Sequence, residues 1–323
     1  MDYPKLCNWI LLKKKADGSY DAKDCITENE YTLGGTIGYF ARKLDGKTDP
    51  FAILPSFPRR EVQAMLDELN EVNFLRYGRV LNSSKGSVTY SLIMPRKYRS
   101  KSIIPVLINY FLLVLWLPTF LFGVDCSLSN LPDLDGGSIL LGQWTGIITG
   151  AILHETGHAS SALCYQGRVF EAGVLLQHYM PGAYVMIDDT PIRSRLRKVQ
   201  VLAAGVEMNI LLSGIALFLC VYVPSSSTFY FGAALSNLLL ALLNLTFTEG
   251  LDGMAVMGKL LGADSLVARA RYALTAKEER LRLLRAGPHG VIELLICCIL
   301  VALQVVVPSL YLMYFMEVVE CFM

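Results

Sequence analysis

Long apolar segments dominate the chain from residue 103 onward. Each is about 20 residues long or longer and carries few charges, as a helix needs to cross the hydrocarbon core of a bilayer. We expect the fourth segment to continue as a helix past Gly253 toward Leu261. The pattern predicts five transmembrane helices, at Ile103–Phe122, Ile139–Tyr165, Val199–Val223, Phe229–Leu251 and Val291–Phe315.

The N-terminal region shows a different pattern, in which short apolar runs alternate with polar ones. Trp9–Leu12 has the composition of a strand, and Leu33–Leu44 has helical spacing. Glu61–Phe74 places its apolar residues on one side and is expected to form an amphipathic helix. The runs Leu75–Leu81 and Ser87–Met94 are typical of a two-stranded wing. Short helices followed by a hairpin predict a winged-helix-like domain.

These patterns define the expected fold class: a mainly α, polytopic membrane protein with about five transmembrane helices and a small α+β N-terminal domain. Composition agrees, because 53% of the 323 residues are hydrophobic and only 18% are charged, whereas soluble domains are about one quarter charged. We place the winged-helix-like domain at residues 1–100 and the membrane domain at residues 101–323. The eight cysteines form no CxxC pair and are interpreted as reduced.

Charge predicts orientation in the membrane. Loops that contain Lys and Arg alternate with loops that lack them along the chain, and the basic loops face the cytosol in most membrane proteins. We therefore expect a multi-pass protein of a cell membrane, taken to be the bacterial plasma membrane, with a cytosolic N-terminus and an extracytoplasmic C-terminus. Through Met94, 13 basic residues face 12 acidic ones, which argues against a nucleic-acid partner.

Candidate chemistry lies inside the second apolar segment, where His154, Glu155 and His158 form an HExxH pattern. Two histidines four residues apart lie on one face of a helix, so both imidazoles can reach one divalent metal. Glu155 can then reach a water bound to that metal. Because ionisable groups in hydrocarbon are costly, this cluster indicates a function.

A catalytic zinc needs a third protein ligand and an open position for water. The other two histidines, His178 and His289, lie outside the apolar segments or at the start of the last one. A carboxylate at the end of a span is a better candidate, and Asp252 follows the fourth segment. Asp252 could also be an ordinary residue at the membrane interface.

Three separate pieces of the chain resemble the site-2 protease family of intramembrane zinc proteases. They are the HETGH run, Leu251-Asp252-Gly253, and Ala204-Gly205-Val-Glu-Met-Asn209 in the intervening span. Asn244 also stands eight residues before Asp252, as in the family's NxxPxPxLDG motif. The likeness covers about residues 138–262 and implies Zn²⁺ held by His154, His158 and Asp252. It also implies Glu155 as general base and Asn209 as a contact to the substrate backbone or the reacting carbonyl.

The chain departs from the family motifs at their prolines. Phe247 and Glu249 replace the two prolines of NxxPxP, and Val206 replaces that of AGPxxN. Glu249 is three residues before Asp252, so it could support the ligands from a second shell or compete as a ligand, and Asn244 is a second-shell candidate. Without the family likeness, Asn209 and Asn244 could equally be polar contacts between helices.

The N-terminal domain resembles the leader-peptide recognition elements of peptide-modifying enzymes, which are small winged-helix domains that bind a leader as an added strand. The likeness is one of pattern, and a structural role alone stays open. We also expect the loop of residues 167–190 to supply a strand that pairs with extended substrate. Within it, Val174–Met186 fits a membrane-associated hairpin around Pro181-Gly182.

The function expected from the sequence is that of an intramembrane zinc metalloprotease. Its substrate would be a ribosomally made peptide precursor that loses its leader, or a single-span membrane protein, and lipid surrounds the enzyme. Release of a membrane-bound regulator is an alternative of the same class. A divalent-metal transporter and a pseudoprotease that only binds peptide are alternatives of other classes. The sequence leaves the oligomeric state open.

Overall fold

The computed structural model describes residues 3–25, 29–78, 80–82, 87–93, 102–128, 135–177, 180–248, 250–261 and 266–320. The chain divides into two compact units. The first unit combines Met1–Ser100 with Gln166–Pro191, and the second combines Lys101–Tyr165 with Ile192–Met323. The segment between the second and third spans thus packs with the N-terminal unit, although its sequence position lies inside the expected membrane domain.

Over its described residues, the first unit contains two antiparallel sheets and three helices. Its helices are α1 (Gly35–Lys43), α2 (Pro50–Ile53) and α3 (Arg59–Glu71). Its strands are β1 (Pro4–Leu6), β2 (Ile10–Lys14), β3 (Tyr20–Asp24), β4 (Glu30–Leu33), β5 (Leu75–Tyr77), β6 (Val80–Asn82), β7 (Ser87–Ile93), β8 (Arg168–Gln177) and β9 (Met180–Asp188). The expected strand, amphipathic helix and wing are present, and β1, β3, β4 and α2 were missed from the sequence.

A three-stranded sheet of order β2-β3-β4 packs with the helices around one apolar core. Helix α3 turns Val62, Leu66 and Leu69 inward, because residues three and four apart share a helix face. Gly38 lets α1 approach the sheet, since any side chain there would collide with the Tyr20 ring. The helical spacing in the sequence therefore identified the buried face of α3 correctly.

The second sheet has the order β1-β5-β6-β7-β8-β9. It joins the wing strands β6 and β7 to the hairpin strands β8 and β9 in one continuous ladder. The buried side chains of Arg76 and Glu171 form an ion pair in this sheet, and Arg76 also donates to Ser91. Such a buried pair fixes how β5, β7 and β8 align, because either charge alone would be costly.

The position expected for the hairpin turn is wrong. Pro181 and Gly182 lie within β9, where they pair with Leu176 and Leu175. The connection between the two strands falls at residues 178–179, outside the described residues. A Pro-Gly pair is a strong local turn signal, but here the long ladder of β8 with both β7 and β9 decides the register.

The second unit is helical. Its helices are α4 (Ile104–Leu128), α5 (Gly136–Cys164), α6 (Arg195–Tyr222), α7 (Ser227–Asn244), α8 (Asp252–Leu261), α9 (Leu266–Thr275), α10 (Lys277–Arg285) and α11 (Pro288–Glu320). Five helical stretches within the described residues are long and apolar enough to cross a membrane. They correspond to the five expected spans, so that prediction is confirmed by length and composition.

Small residues allow the spanning helices to approach closely. Gly142, Gly146 and Gly150 form a stripe along α5, and a side chain at any of them would collide with α7. Gly157 plays the same part against α6, since an added Cβ would lie 2.6 Å from the Ala204 carbonyl oxygen. Helix packing in a membrane depends on such close contact, because lipid provides no hydrophobic force between helices.

The prediction of an unbroken fourth span is wrong. Helix α7 ends at Asn244 and α8 begins only at Asp252, so the chain is non-helical just before the candidate ligand. Gly250 adopts a φ of 92°, a left-handed conformation that glycine tolerates and a helix cannot contain. The break therefore forms without the prolines that the family motif carries.

The last span supports this break. Gln304 on α11 donates from Nε2 to the Phe247 carbonyl oxygen at 3.0 Å, and Thr248 donates to the Leu303 carbonyl oxygen at 3.4 Å. Backbone groups released from a helix at membrane depth need such partners, because no water is at hand in the hydrocarbon core.

Candidate metal centre

Helix α5 carries the two histidines one turn apart on its buried side. The rings of His154 and His158 stand almost perpendicular to each other, with centroids 4.7 Å apart. Their Nε2 atoms are 3.1 Å apart, and both side chains are buried. Two imidazole nitrogens of an HExxH run thus face the same point, as the four-residue spacing predicts.

Asp252, the first residue of α8, completes the cluster. Its Oδ2 lies 2.9 Å from Nε2 of His154 and 3.3 Å from Nε2 of His158. The break before α8 and the close approach of Gly253 to the Leu245 carbonyl place this carboxylate. The structure therefore brings Asp252 to a pair of histidines that lie almost a hundred residues earlier in the sequence.

These three atoms fit a metal ion. A tetrahedral zinc site with ligands ~2.0–2.1 Å from the ion has ligand atoms ~3.3–3.4 Å apart. The separations here are 2.9, 3.1 and 3.3 Å, so a small outward movement would suffice. Among the described residues, His154, His158 and Asp252 form the group of three His, Cys, Asp or Glu side chains that could hold a metal.

Helix α6 orients both imidazoles from the opposite side. The Nδ1 atom of His158 lies 2.7 Å from the Val201 carbonyl oxygen. Nδ1 of His154 lies 3.1 Å from Nδ2 of Asn209. Each ring is therefore held at the nitrogen that faces away from the cluster, an arrangement that metal-binding histidines commonly have.

Gly205 closes the cluster on the α6 side. A Cβ at this position would lie 2.6 Å from both Nε2 and Cε1 of His154, and closer still to Nε2 of His158. Only glycine leaves room for the two rings where α5 and α6 cross. The sequence places Gly205 in a motif without indicating its role. The close approach of the two imidazole rings explains why this position is a glycine.

The other expected site residues take different places. Glu155 follows His154 directly and is half-buried. Asn244 is the last residue of α7, and its side chain donates to the Leu240 carbonyl oxygen within the same helix. Glu249 and His178 lie outside the described residues. The structure thus gathers His154, His158, Asp252 and Asn209, while Asn244 turns back along its own helix.

Two contributions to the site were missed from the sequence. The Val201 carbonyl is a backbone group, which every residue has, so the residue type carries no signal for this contact. Gln304 is 52 residues beyond Asp252 (304 − 252), and its contact with the broken segment connects it to the cluster. A polar residue inside an otherwise apolar span was the available signal for Gln304.

Comparison of the chain with protein-family models, with curated proteins and with solved structures finds no match. The likeness to site-2 proteases therefore rests on the short sequence motifs.

Proposed function

We propose that the protein is an intramembrane zinc metalloprotease of the site-2 protease kind. The observation that carries this proposal is the convergence of His154, His158 and Asp252 within an arrangement of apolar, membrane-spanning helices. Two imidazoles and one carboxylate are a typical donor set for catalytic zinc, which keeps one position open. Glu155, next to the first ligand, supplies the acid–base group that hydrolysis requires.

The chemistry of the chain's own residues follows from their types. His154, His158 and Asp252 would hold the zinc, which when bound would supply a water with its pKa lowered toward about 7 and a Lewis acid for the scissile carbonyl. The Glu155 carboxylate accepts a proton from the attacking water and passes it to the leaving amine. Surrounding apolar helices restrict bulk water, which strengthens electrostatic interactions at the site.

Replacing Glu155 by Gln tests the proposal. The change keeps the shape of the side chain and removes its capacity to accept a proton, so Zn²⁺ content should stay at the wild-type level while hydrolysis is lost. We would profile new peptide N-termini in membranes of cells that express the wild type, Glu155→Gln or Asp252→Ala. Asp252→Ala should lose both metal and cleavage. Cleavage products that persist in both variants would refute the proposal.

The same variants distinguish the protease from a metal transporter. Proteoliposomes that contain the wild-type protein and a zinc-sensitive dye report Zn²⁺ entry directly. A protease should show no flux above empty liposomes. Flux that depends on Asp252, without new peptide N-termini, would indicate transport. Peptide binding that survives in Glu155→Gln, without cleavage by the wild type, would indicate a pseudoprotease.

For the first unit we propose recognition of a peptide precursor, whose leader is then removed. Strand β4 pairs with β3 on one side, and no described strand pairs with its other edge. An extended leader can add to such an edge through backbone hydrogen bonds. Because the unit is covalently joined to the membrane domain, capture would raise the local substrate concentration. We place this unit in the cytosol.

Site-specific cross-linking tests leader capture. A photoreactive residue at the exposed Thr32 on β4 should cross-link the peptide retained by Glu155→Gln. The matched control is the exposed Lys14 on β2, the opposite edge of the same sheet. Equal cross-linking from both edges would contradict binding by strand addition at β4. Cross-linking of a membrane-anchored regulator instead of a short precursor would favour regulated proteolysis.

A further inference from the structure

Three positions on α6 form a stripe that faces the metal cluster. Val201, Gly205 and Asn209 follow each other at steps of four residues, so they lie along one helix face. Each contacts the histidine pair: the Val201 carbonyl and the Asn209 amide reach the two Nδ1 atoms, and Gly205 lies against both Nε2 atoms. One face of α6 therefore positions both rings.

The Val201 contact fixes the protonation pattern of His158. A carbonyl oxygen can only accept a hydrogen bond, so the Nδ1 atom 2.7 Å away must carry the proton. The neutral ring then has its lone pair on Nε2, which faces His154 and Asp252. This tautomer is the one that can ligate a metal through Nε2.

His154 needs the same tautomer to be a ligand through Nε2, and Asn209 is the partner at its Nδ1. The amide of Asn209 lies 3.1 Å from this nitrogen through its Nδ2, and its Oδ1 has no hydrogen-bond partner among the described residues. The two ends of an amide have nearly the same shape, so a half-turn exchanges them. In the turned orientation Oδ1 accepts the proton on Nδ1 and leaves the Nε2 lone pair for a metal.

We propose that Asn209 is a positioning residue for the metal ligand His154, and that its amide oxygen selects the metal-binding tautomer. The family likeness implies a different role for Asn209, namely a contact to the substrate. Asn209 is only 1% exposed, and its amide is engaged with an imidazole. The inference rests on the proposed metal site, but it does not depend on proteolysis or on the identity of the substrate.

Metal binding to three variants tests this assignment in the full-length protein, purified in detergent. Zn²⁺ affinity would be measured by competition with a chromophoric chelator, and ligand geometry by the visible spectrum of bound Co²⁺. In Asn209→Leu the affinity should fall about 10–100-fold, as is usual when a partner of a ligating histidine is removed. Asn209→Asp should keep at least the wild-type affinity, because a carboxylate accepts the Nδ1 proton equally well.

Asn109→Leu is the matched control. Asn109 is also a buried asparagine in a spanning helix, and its amide donates to the Tyr165 hydroxyl at 3.3 Å. Its loss should leave Zn²⁺ affinity and the Co²⁺ spectrum unchanged. If Asn209→Leu does not fold, loss of Zn²⁺ from Asn209→Asp still refutes the assignment, because this variant keeps the side-chain shape and replaces the amide donor by a second acceptor oxygen.

Two results would overturn the assignment while leaving the metal site intact. One is wild-type Zn²⁺ affinity in Asn209→Leu. If the cleavage rate of that variant fell while its affinity stayed the same, a contact between Asn209 and the substrate would be favoured. The other is loss of Zn²⁺ from Asn209→Asp, which would mean that the amide must donate. A wild-type protein that binds no Zn²⁺ would instead remove the proposed site itself, and this inference with it.

Discussion

Replacing Gly205 by Ala should weaken metal binding by adding a single methyl group. The added Cβ would lie 2.6 Å from Nε2 of His154 and still closer to Nε2 of His158. Carbon atoms in ordinary contact are ~3.5–4.0 Å from their neighbours. The methyl group therefore has to move ~0.9 Å or more away from the rings, or the rings have to move from it. Metal sites tolerate ligand displacements of only ~0.2 Å.

The expected loss of affinity follows from the cost of overpacking. An extra methylene in a well-packed interior costs about 1–3 kcal/mol. If that cost falls on the metal-bound arrangement, Zn²⁺ affinity should decrease about 5–150-fold. A movement of α6 that relieved the clash would also displace Val201 and Asn209, which orient the two rings. We would measure Zn²⁺ by chelator competition, with the metal content of the purified protein as a second readout.

Two other glycines separate this effect from general damage. An added Cβ at Gly136 has no neighbour within 4 Å, so Gly136→Ala should leave both stability and metal affinity unchanged. At Gly142 the Cβ would collide with the Phe229 backbone, about three turns from His154. Gly142→Ala should therefore lower thermal stability without removing the metal. A folded Gly205→Ala protein with wild-type Zn²⁺ affinity would refute our account of the crossing between α5 and α6.

Three further predictions concern other parts of the molecule. Arg76→Met should destabilise the first unit by about 3–5 kcal/mol, because it leaves the Glu171 carboxylate buried and unpaired. In thermal unfolding, the double variant Arg76→Met/Glu171→Leu should be less destabilised than Arg76→Met alone. Gln304→Leu should leave the Phe247 carbonyl without its donor and lower the stability of the protein by about 1–3 kcal/mol. The melting temperature should fall, and Zn²⁺ should bind more weakly. Burial raises the pKa of the Cys7 thiol to about 12, so mass spectrometry should find Cys7 unmodified by iodoacetamide at pH 8.5 until the protein unfolds.

Local patterns predicted those features that depend on local physics. Five spans followed from apolar length, because the bilayer thickness sets the number of residues a helix needs. The pairing of His154 with His158 followed from four-residue helical spacing. The break before Asp252 did not follow, because Gly250 and the support from Gln304 act through a turn and a neighbouring helix. The two turn residues expected in the hairpin were likewise overruled by the ladder that β8 forms with both β7 and β9.

The sequence by itself determined the membrane-spanning character, the helical pair of imidazoles and the choice of Asp252 as the candidate third ligand. Each depends on residue type, or on spacing within one element. Only the tertiary structure decided that α6 orients the rings through a backbone carbonyl and an amide, and that Gly205 must lack a side chain. It also grouped the hairpin with the first unit. These features arise where separate helices or strands meet, and contacts of that kind depend on distances that no single segment encodes.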